Sequence, residues 1–255
     1  MNAIQKPDAD AMRRAGAVAA ATLATVGRAL EPGMSTADID ALVRADTARR
    51  GGRPSQLGYH GFPAAVCTSR NHVVCHGIPN PQEVLEDGDI INVDITTCVG
   101  GHHGDTSKTF FIGEPSAEAR HVVESARRAR DAGISVVRHG ARIGDIGAAI
   151  QEVARAAGCS VVRELGGHGI GQRMHQPPHV HHVGRRGTGF KLREGMCITV
   201  EPMLNLGTAD VAELADGWTI VTTDGRLSAQ FEHTVLVTRT GCEILTLPPE
   251  DQGTG

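Results

Sequence analysis

Aromatic residues are scarce in this chain: among 255 residues there are five Phe, one Tyr and one Trp. The core must therefore be built from Ala, Val, Ile and Leu, and each aromatic is worth locating. No stretch approaches the roughly 18 consecutive apolar residues that a membrane-spanning helix requires. No cysteine pair has CxxC spacing. Cys67, Cys75, Cys98, Cys159, Cys197 and Cys242 are scattered, which fits reduced, mostly buried thiols in a cytoplasmic protein better than a zinc knuckle or a disulfide framework. An excess of positive charge is also missing. The net charge is −4, so neither nucleic acid nor an anionic membrane is an expected partner. With no linker or low-complexity segment before residue 251, the sequence reads as one domain over residues 1–250 and a disordered tail at 251–255. Glycine, by contrast, is plentiful at 32 residues, which points to many turns and close backbone approaches.

Arg13 and Arg14 precede an Ala-rich run to Val26 and superficially resemble a twin-arginine export signal. However, Met12, Ala15, Ala19, Leu23, Val26 and Leu30 recur at helical steps of three and four, and the h-region and cleavage site of a targeting segment are lacking. Patterning predicts helices over 8–30, 36–50, 116–138 and 142–157. It predicts strands near 64–69, 90–97, 105–112, 159–163, 196–201, 218–223 and 231–238. A faint internal repeat accompanies them. Residues 33–52 align with 140–159, placing Gly33 on Gly140, Asp38 on Asp145, Ile39 on Ile146 and Gly51 on Gly158. The same shift carries Asp94 onto Glu201, as expected of duplicated α/β halves.

The stretch NVDITTCVGGHHGDTS (92–107) places polar side chains in an apolar strand. Ile91, Val93 and Ile95 share one face, while Asn92, Asp94 and Thr96 share the other. A turn on Val99-Gly100 would set Asp94 directly opposite Asp105 on the returning strand, with Cβ atoms about 4.5–5.5 Å apart. Two ionised carboxylates there would repel. One is then protonated, or a cation sits between them, or the hairpin is solvated and both are ordinary surface residues.

Glu201 in MCITVEPML and Glu232 in SAQFEHTVLVT bring the acids on burial-prone strands to four, with no Arg or Lys at matching strand positions. Buried carboxylates are paired or bound to metal, because an isolated one is too costly. GGHGIGQRMH supplies His168 and His175, and VVCHGIP places His76 at a strand end before a turn. A lone histidine is more often a surface or capped residue than a ligand, and His179, His181 and His182 in QPPHVHH read as loop.

Taken together, YHGFPAAVCTSRNHVVCHGIP (59–79), INVDITTCVGGHHGDTSKTF (91–110), GGHGIGQRMHQPP (166–178), ITVEPML (198–204) and SAQFEHTVLV (228–237) resemble the short, bacterial-style type I methionine aminopeptidases. These stretches come in that family's order and cover nearly the whole chain. The resemblance implies an α+β pita-bread (creatinase/aminopeptidase) fold, with pseudo-two-fold duplicated α/β halves around a curved antiparallel sheet. It implies removal of the initiator methionine from nascent proteins and peptides with a small second residue, by a water activated between two divalent ions.

Asp94, Asp105, His168, Glu201 and Glu232 would be the ligands of those ions, which Mn, Fe, Co or Zn would suit. Glu201 would also accept the water's proton, His175 would donate to the carbonyl oxygen and His76 would contact the scissile nitrogen. Tyr59, Phe62, Cys67 and Trp218 match the lining of the methionine pocket. A monovalent cation, Na or K, is implied on carbonyls near Asn71, Val73 and Ser228. A monomer working on nascent chains, with ribosome association and in the cytoplasm, is implied as well. Met174 and His102 stand where aromatics are usual and Gln176 where an acid is common, which bears on fine substrate preference. Proline-directed peptidases share the five ligands but normally carry a large extra N-terminal domain. Pita-bread binding modules, the other alternative, have lost the ligands that are all present here.

Overall fold

The computed structural model describes residues 7–248; the tail at 251–255 lies outside them. Four helices appear where periodicity predicts them: α1 (Ala9–Ala29), α2 (Thr36–Arg49), α3 (Ala117–Ser135) and α4 (Ile143–Ala156). Their starts follow from local chemistry. Asp8 accepts hydrogen bonds from the N–H groups of Asp10 and Ala11 at the head of α1. Ser35 and Asp38 cap α2 reciprocally, each side chain accepting from the other's backbone. In α1, Met12, Ala15, Ala19 and Val26 are fully buried, so the Ala-rich run is an amphipathic helix seated on the sheet. Arg13, one of the twin arginines, is spent on ion pairs with Asp10 and Glu243.

Seven strands make the body of the sheet: β1 (Cys67–Arg70), β2 (Ile90–Val99), β3 (His102–Phe111), β4 (Gly166–Gly169), β5 (Gln176–His181), β6 (Cys197–Val200) and β7 (Ser228–Val237). Their spatial order is β1-β2-β3-β7-β6-β4-β5, antiparallel throughout. A separate three-stranded sheet of Val211–Glu213, Ile220–Thr222 and Val73–Cys75 flanks it. Pro202, which has no N–H to donate, separates β6 from the short strand Met203–Asn205.

Strand alternation divides the sheet into two chemically opposite faces. Ile91, Val93 and Ile95 of β2 pack with Leu23 and Val26 of α1 and Ile39 and Val43 of α2. Ile198 and Val200 of β6 and Val235 and Val237 of β7 pack with Val122 and Ala126 of α3 and Ile146 and Ile150 of α4. Each buried Val, Leu or Ile among them stabilises the fold by roughly 1.5–3 kcal/mol. The other face collects the intervening residues: Asp94, Asp105, Glu201 and Glu232.

The repeat is real in three dimensions. The ends of α2 and α4 differ by the same 107 residues (36 to 143, 49 to 156) as the sequence alignment. Two isolated bridges obey the shift as well, Ser35 with Val84 and Arg142 with Lys191. The halves meet where β3 pairs with β7.

Two expectations are corrected. The hairpin turns on Gly100-Gly101, with φ of 56° and 80°, not on Val99-Gly100. A two-residue turn of this kind needs positive φ at both positions, which Gly adopts freely and the β-branched Val99 does not. The pairing therefore sets Asp94 opposite Ser107 and Thr96 opposite Asp105. Because the displacement is two residues, both aspartates keep the same face and sit diagonally instead of directly opposed. QPPHVHH is also not a loop. Its first six residues form β5, at the sheet's edge, where prolines without N–H donors are tolerated.

Helix α1 touches the hairpin through backbone. A Cβ at Gly104 would lie 2.5 Å from the Gly16 nitrogen and 2.6 Å from the Ala15 carbonyl carbon. The Gly104→Ala variant is expected to lose about 1–3 kcal/mol, the usual cost of overpacking. Urea unfolding measures this, and an unchanged midpoint would mean that α1 can lift from the sheet at no cost.

Candidate metal centre

The acids come together from both halves. Asp94 on β2 lies between Cys67 of β1 and Ser107 of β3, and Ser107 in turn faces Glu232 of β7. Asp105 is held from two sides: Thr96 Oγ1 donates to its Oδ1 at 2.7 Å and its N–H donates to Thr234 Oγ1 at 3.0 Å. Glu201 follows the last paired residue of β6. Its Oε1 accepts from Thr199 Oγ1 at 2.6 Å and its Oε2 from Gln230 Nε2 at 3.4 Å. Its N–H donates to Nε2 of the buried His182 at 3.2 Å.

His168 completes the group from β4. With Nδ1 donating to the Gly169 carbonyl at 3.1 Å, Nε2 keeps its lone pair. That nitrogen stands 3.6 Å from both Asp105 Oδ2 and Glu201 Oε1. Ligand atoms of Asp94, Asp105 and Glu232 lie within 4.8 Å of one another, and so do those of His168, Glu201 and Glu232. The two triplets share Glu232.

Electrostatics make this arrangement costly without a cation. Burial pushes the Asp94 and Glu232 carboxyls well above their ordinary values, and the neighbouring carboxylates push the same way. Burial raises Glu201 to about 7, against the lowering effect of His168. Burial disfavours a charged His168, but Asp105 and Glu201 outweigh it and raise its pKa. Asp94 Oδ1 and Glu232 Oε1 are buried without any hydrogen-bond partner. Among the described residues lining the cavity there is no arginine or lysine. The donor set therefore fits divalent metal: the orphaned oxygens converge, and two M²⁺ ions would balance four carboxylates.

Beside the acids opens a cavity of about 300 Å³. The four residues read from the sequence as its apolar lining, Tyr59, Phe62, Cys67 and Trp218, all border it. Phe62 and Trp218 meet edge to face with centroids 5.1 Å apart, and burial pushes the Cys67 thiol up. Met174 also lines the cavity, so that departure bears on the pocket. His102 and Gln176 do not line it: His102 sits at the hairpin turn, its Nδ1 3.4 Å from the Gly100 carbonyl oxygen.

His175 stands at the mouth. Its Nδ1 is 2.9 Å from the Tyr59 hydroxyl and its ring lies edge-on to His168 at 4.2 Å. Burial lowers its pKa to about 4, so it is neutral at pH 7. His76 follows the strand Val73–Cys75 with φ of 56°, a conformation rare outside glycine. It faces Trp218 at 6.4 Å, and burial lowers its pKa.

Several participants escape sequence reasoning. Thr199 and Gln230 share strand parity with Glu201 and Glu232, and that parity is a usable signal. Gln56 has none: from a loop it donates to the Asp94 carbonyl oxygen at 2.9 Å and lines the cavity. His179 lines the cavity from β5, and His182 is buried behind Glu201.

Known proteins resemble this chain over most of its length. The model of metallopeptidase family M24 matches residues 10–239. A methionine aminopeptidase B of Synechocystis is 53% identical over 93% of this chain and 89% of its own length. The crystal structure of methionine aminopeptidase from Rickettsia prowazekii superposes with a TM-score of 0.91 at 46% identity, covering 92% of this chain and 95% of that one. A prolidase from Pyrococcus furiosus, 18% identical with a TM-score of 0.72, covers 93% of this chain, which spans only 63% of the prolidase; that likeness is one of fold. A pita-bread sheet carrying this acid cluster, and relatives of this identity over nearly the full length, place the chain in metallopeptidase family M24, among the methionine aminopeptidases.

Proposed function

We propose that the chain hydrolyses the first peptide bond of peptides and nascent proteins that begin with methionine and continue with a small residue. The observation carrying this reading is the junction of two features in one cavity of about 300 Å³: orphaned carboxylate oxygens on Asp94 and Glu232, and a wall of Tyr59, Phe62, Cys67, Met174 and Trp218. Held by Asp94, Asp105, His168, Glu201 and Glu232, two divalent ions of the Mn, Fe, Co or Zn type would supply a water of lowered pKa and polarise a peptide carbonyl.

The chain's own residues do the rest. Glu201 takes the water's proton; with Thr199 bound to Oε1, Oε2 is the freer oxygen. The Tyr59 hydroxyl donates to His175 Nδ1, which leaves the proton on Nε2 to donate to the carbonyl oxygen as negative charge develops. His76 contacts the scissile nitrogen. Tyr59, Phe62, Cys67, Met174 and Trp218 exclude water from the methionine side chain. Ser228 Oγ, buried without a partner beside the Asn71 carbonyl, favours a monovalent cation there, Na or K. We further propose a monomer acting on nascent chains in the cytoplasm; among the described residues no helix is long and apolar enough to cross a membrane.

Three measurements test this. After stripping with chelator, Met-Ala-Ser should release methionine only when Mn²⁺ or Co²⁺ is restored, with Leu-Ala-Ser and Ala-Pro-Ala untouched; cleavage of Ala-Pro-Ala would move the chain to the proline-directed branch. His175→Ala should lower kcat by about 10²–10³, as loss of an oxyanion donor does, with little change in KM; a pure KM effect would remove His175 from the chemistry.

The third concerns pH. A carboxyl with raised pKa keeps its proton in the folded chain after the unfolded chain has lost it. Glu201 therefore makes the stripped fold lose stability as pH rises from 4.5 through about 7. Metal requires deprotonated ligands, so the gain in Tm on adding Mn²⁺ should be large at pH 8 and shrink as pH falls through 7. Equal gains at pH 5.5 and 8 would place the ions elsewhere.

A further inference from the structure

Strand β5 alternates in burial: Pro178 and Val180 point inward, while His179 and His181 are exposed on the same face. Their rings meet edge to face with centroids 4.2 Å apart. Across the ribbon, His179 pairs with His168 and His181 pairs with Gly166. The missing side chain at 166 gives the His179 ring room: a Cβ there would lie 3.0 Å from both its Cε1 and its Nε2. No hydrogen bond or ion pair engages either ring among the described residues. His168, His175, His182 and His233, by contrast, each have a hydrogen-bond partner.

We propose that His179 and His181 form a second metal site, separate from the acid cluster, that chelates one transition-metal ion of the Zn²⁺, Ni²⁺ or Cu²⁺ type. Two histidines at i and i+2 of a strand project the same way, and both exposed rings are free to turn a nitrogen toward a common ion. Neutral imidazole suits these metals, whereas ions that prefer oxygen, such as Mg²⁺ and Mn²⁺, are poor matches to a pair with no carboxylate. Water would fill the remaining positions. Since His179 also lines the cavity, an ion held here stands on the cavity wall, within one strand of His168.

The site does not depend on the proposed peptidase activity, and its test counts ions instead of turnover. Full-length wild type, His181→Gln and His179→Gln, each loaded with Mn²⁺, are dialysed against Zn²⁺ in the continued presence of Mn²⁺, and total Mn plus Zn per chain is measured. Exchange within the acid cluster leaves that total unchanged, whereas a further site raises it. Wild type should hold one ion more than either variant, and the affinity for that ion should fall by roughly 10² or more when one of two linked ligands is removed. Both variants should melt as wild type does in Mn²⁺ alone, so that a difference in ion count reports the site and not the fold. Equal totals in wild type and His181→Gln would overturn the proposal. So would an extra ion that survives in either single variant, because a chelate needs both rings.

Discussion

The structure depends on one electrostatic constraint: four carboxylates share a cavity whose basic side chains, among the described residues lining it, are imidazoles only. An isolated buried carboxylate is costly, and a cluster is worse, because each charge opposes the next. The surroundings meet this constraint only in part. Thr96 and Thr199 donate to one oxygen each of Asp105 and Glu201, while Asp94 Oδ1 and Glu232 Oε1 have no donor at all. A fold that holds oxygens in this condition is built for a cation. The rigid helix-backed sheet is what prevents the acids from moving apart.

The duplicated architecture explains how the cluster can exist. Each half contributes two helices that cover one face of its strands, so the hydrophobic effect closes that face independently of the acids. The halves then meet at β3 and β7, and each brings acids to the seam: Asp94 and Asp105 from one, Glu201 and Glu232 from the other. The remaining parts are not symmetric. Imidazoles at the centre come from the second half, from β4 and the turn holding His175. The apolar wall comes mainly from the segment Tyr59 to Cys67 of the first half, closed by Trp218 just ahead of the flanking strand Ile220–Thr222. In the proposed function, metal chemistry and side-chain recognition would thus rest on different segments.

This separation accords with the pattern of likeness. A prolidase shares the fold at 18% identity, whereas the relatives that share nearly the full length at 46–53% identity are methionine aminopeptidases. The fold alone carries no substrate preference; in the proposed function the walls around the acids would supply it. His76 shows how such a wall is shaped. Its positive φ turns the chain sharply at a strand end and presents the ring to the cavity beside Trp218, a local strain of the kind that functional sites retain.

The sequence by itself determined the four helices and the strands leading to Asp94, Asp105, Glu201 and Glu232, and which face of those strands is acidic, because those properties follow from periods of 3.6 and 2 within one segment. Met12, Ala15, Ala19 and Val26 in α1, and Ile91, Val93 and Ile95 against Asp94 in β2, were legible for that reason. So was the duplication, since both copies retain the same spacing. The hairpin register was not legible: a displacement of two residues preserves every face, and only the positive φ of Gly100 and Gly101 selects the observed pairing. The strand nature of QPPHVHH was hidden because its prolines are tolerated only at a sheet edge, and edge position is a property of the whole sheet. Gln56 reaching the Asp94 carbonyl, His182 accepting from the Glu201 amide, and His179 and His181 meeting over Gly166 are contacts between segments that carry no mutual periodicity. Tertiary structure alone decided them, because which polar atoms face one another is settled only after the two halves have packed.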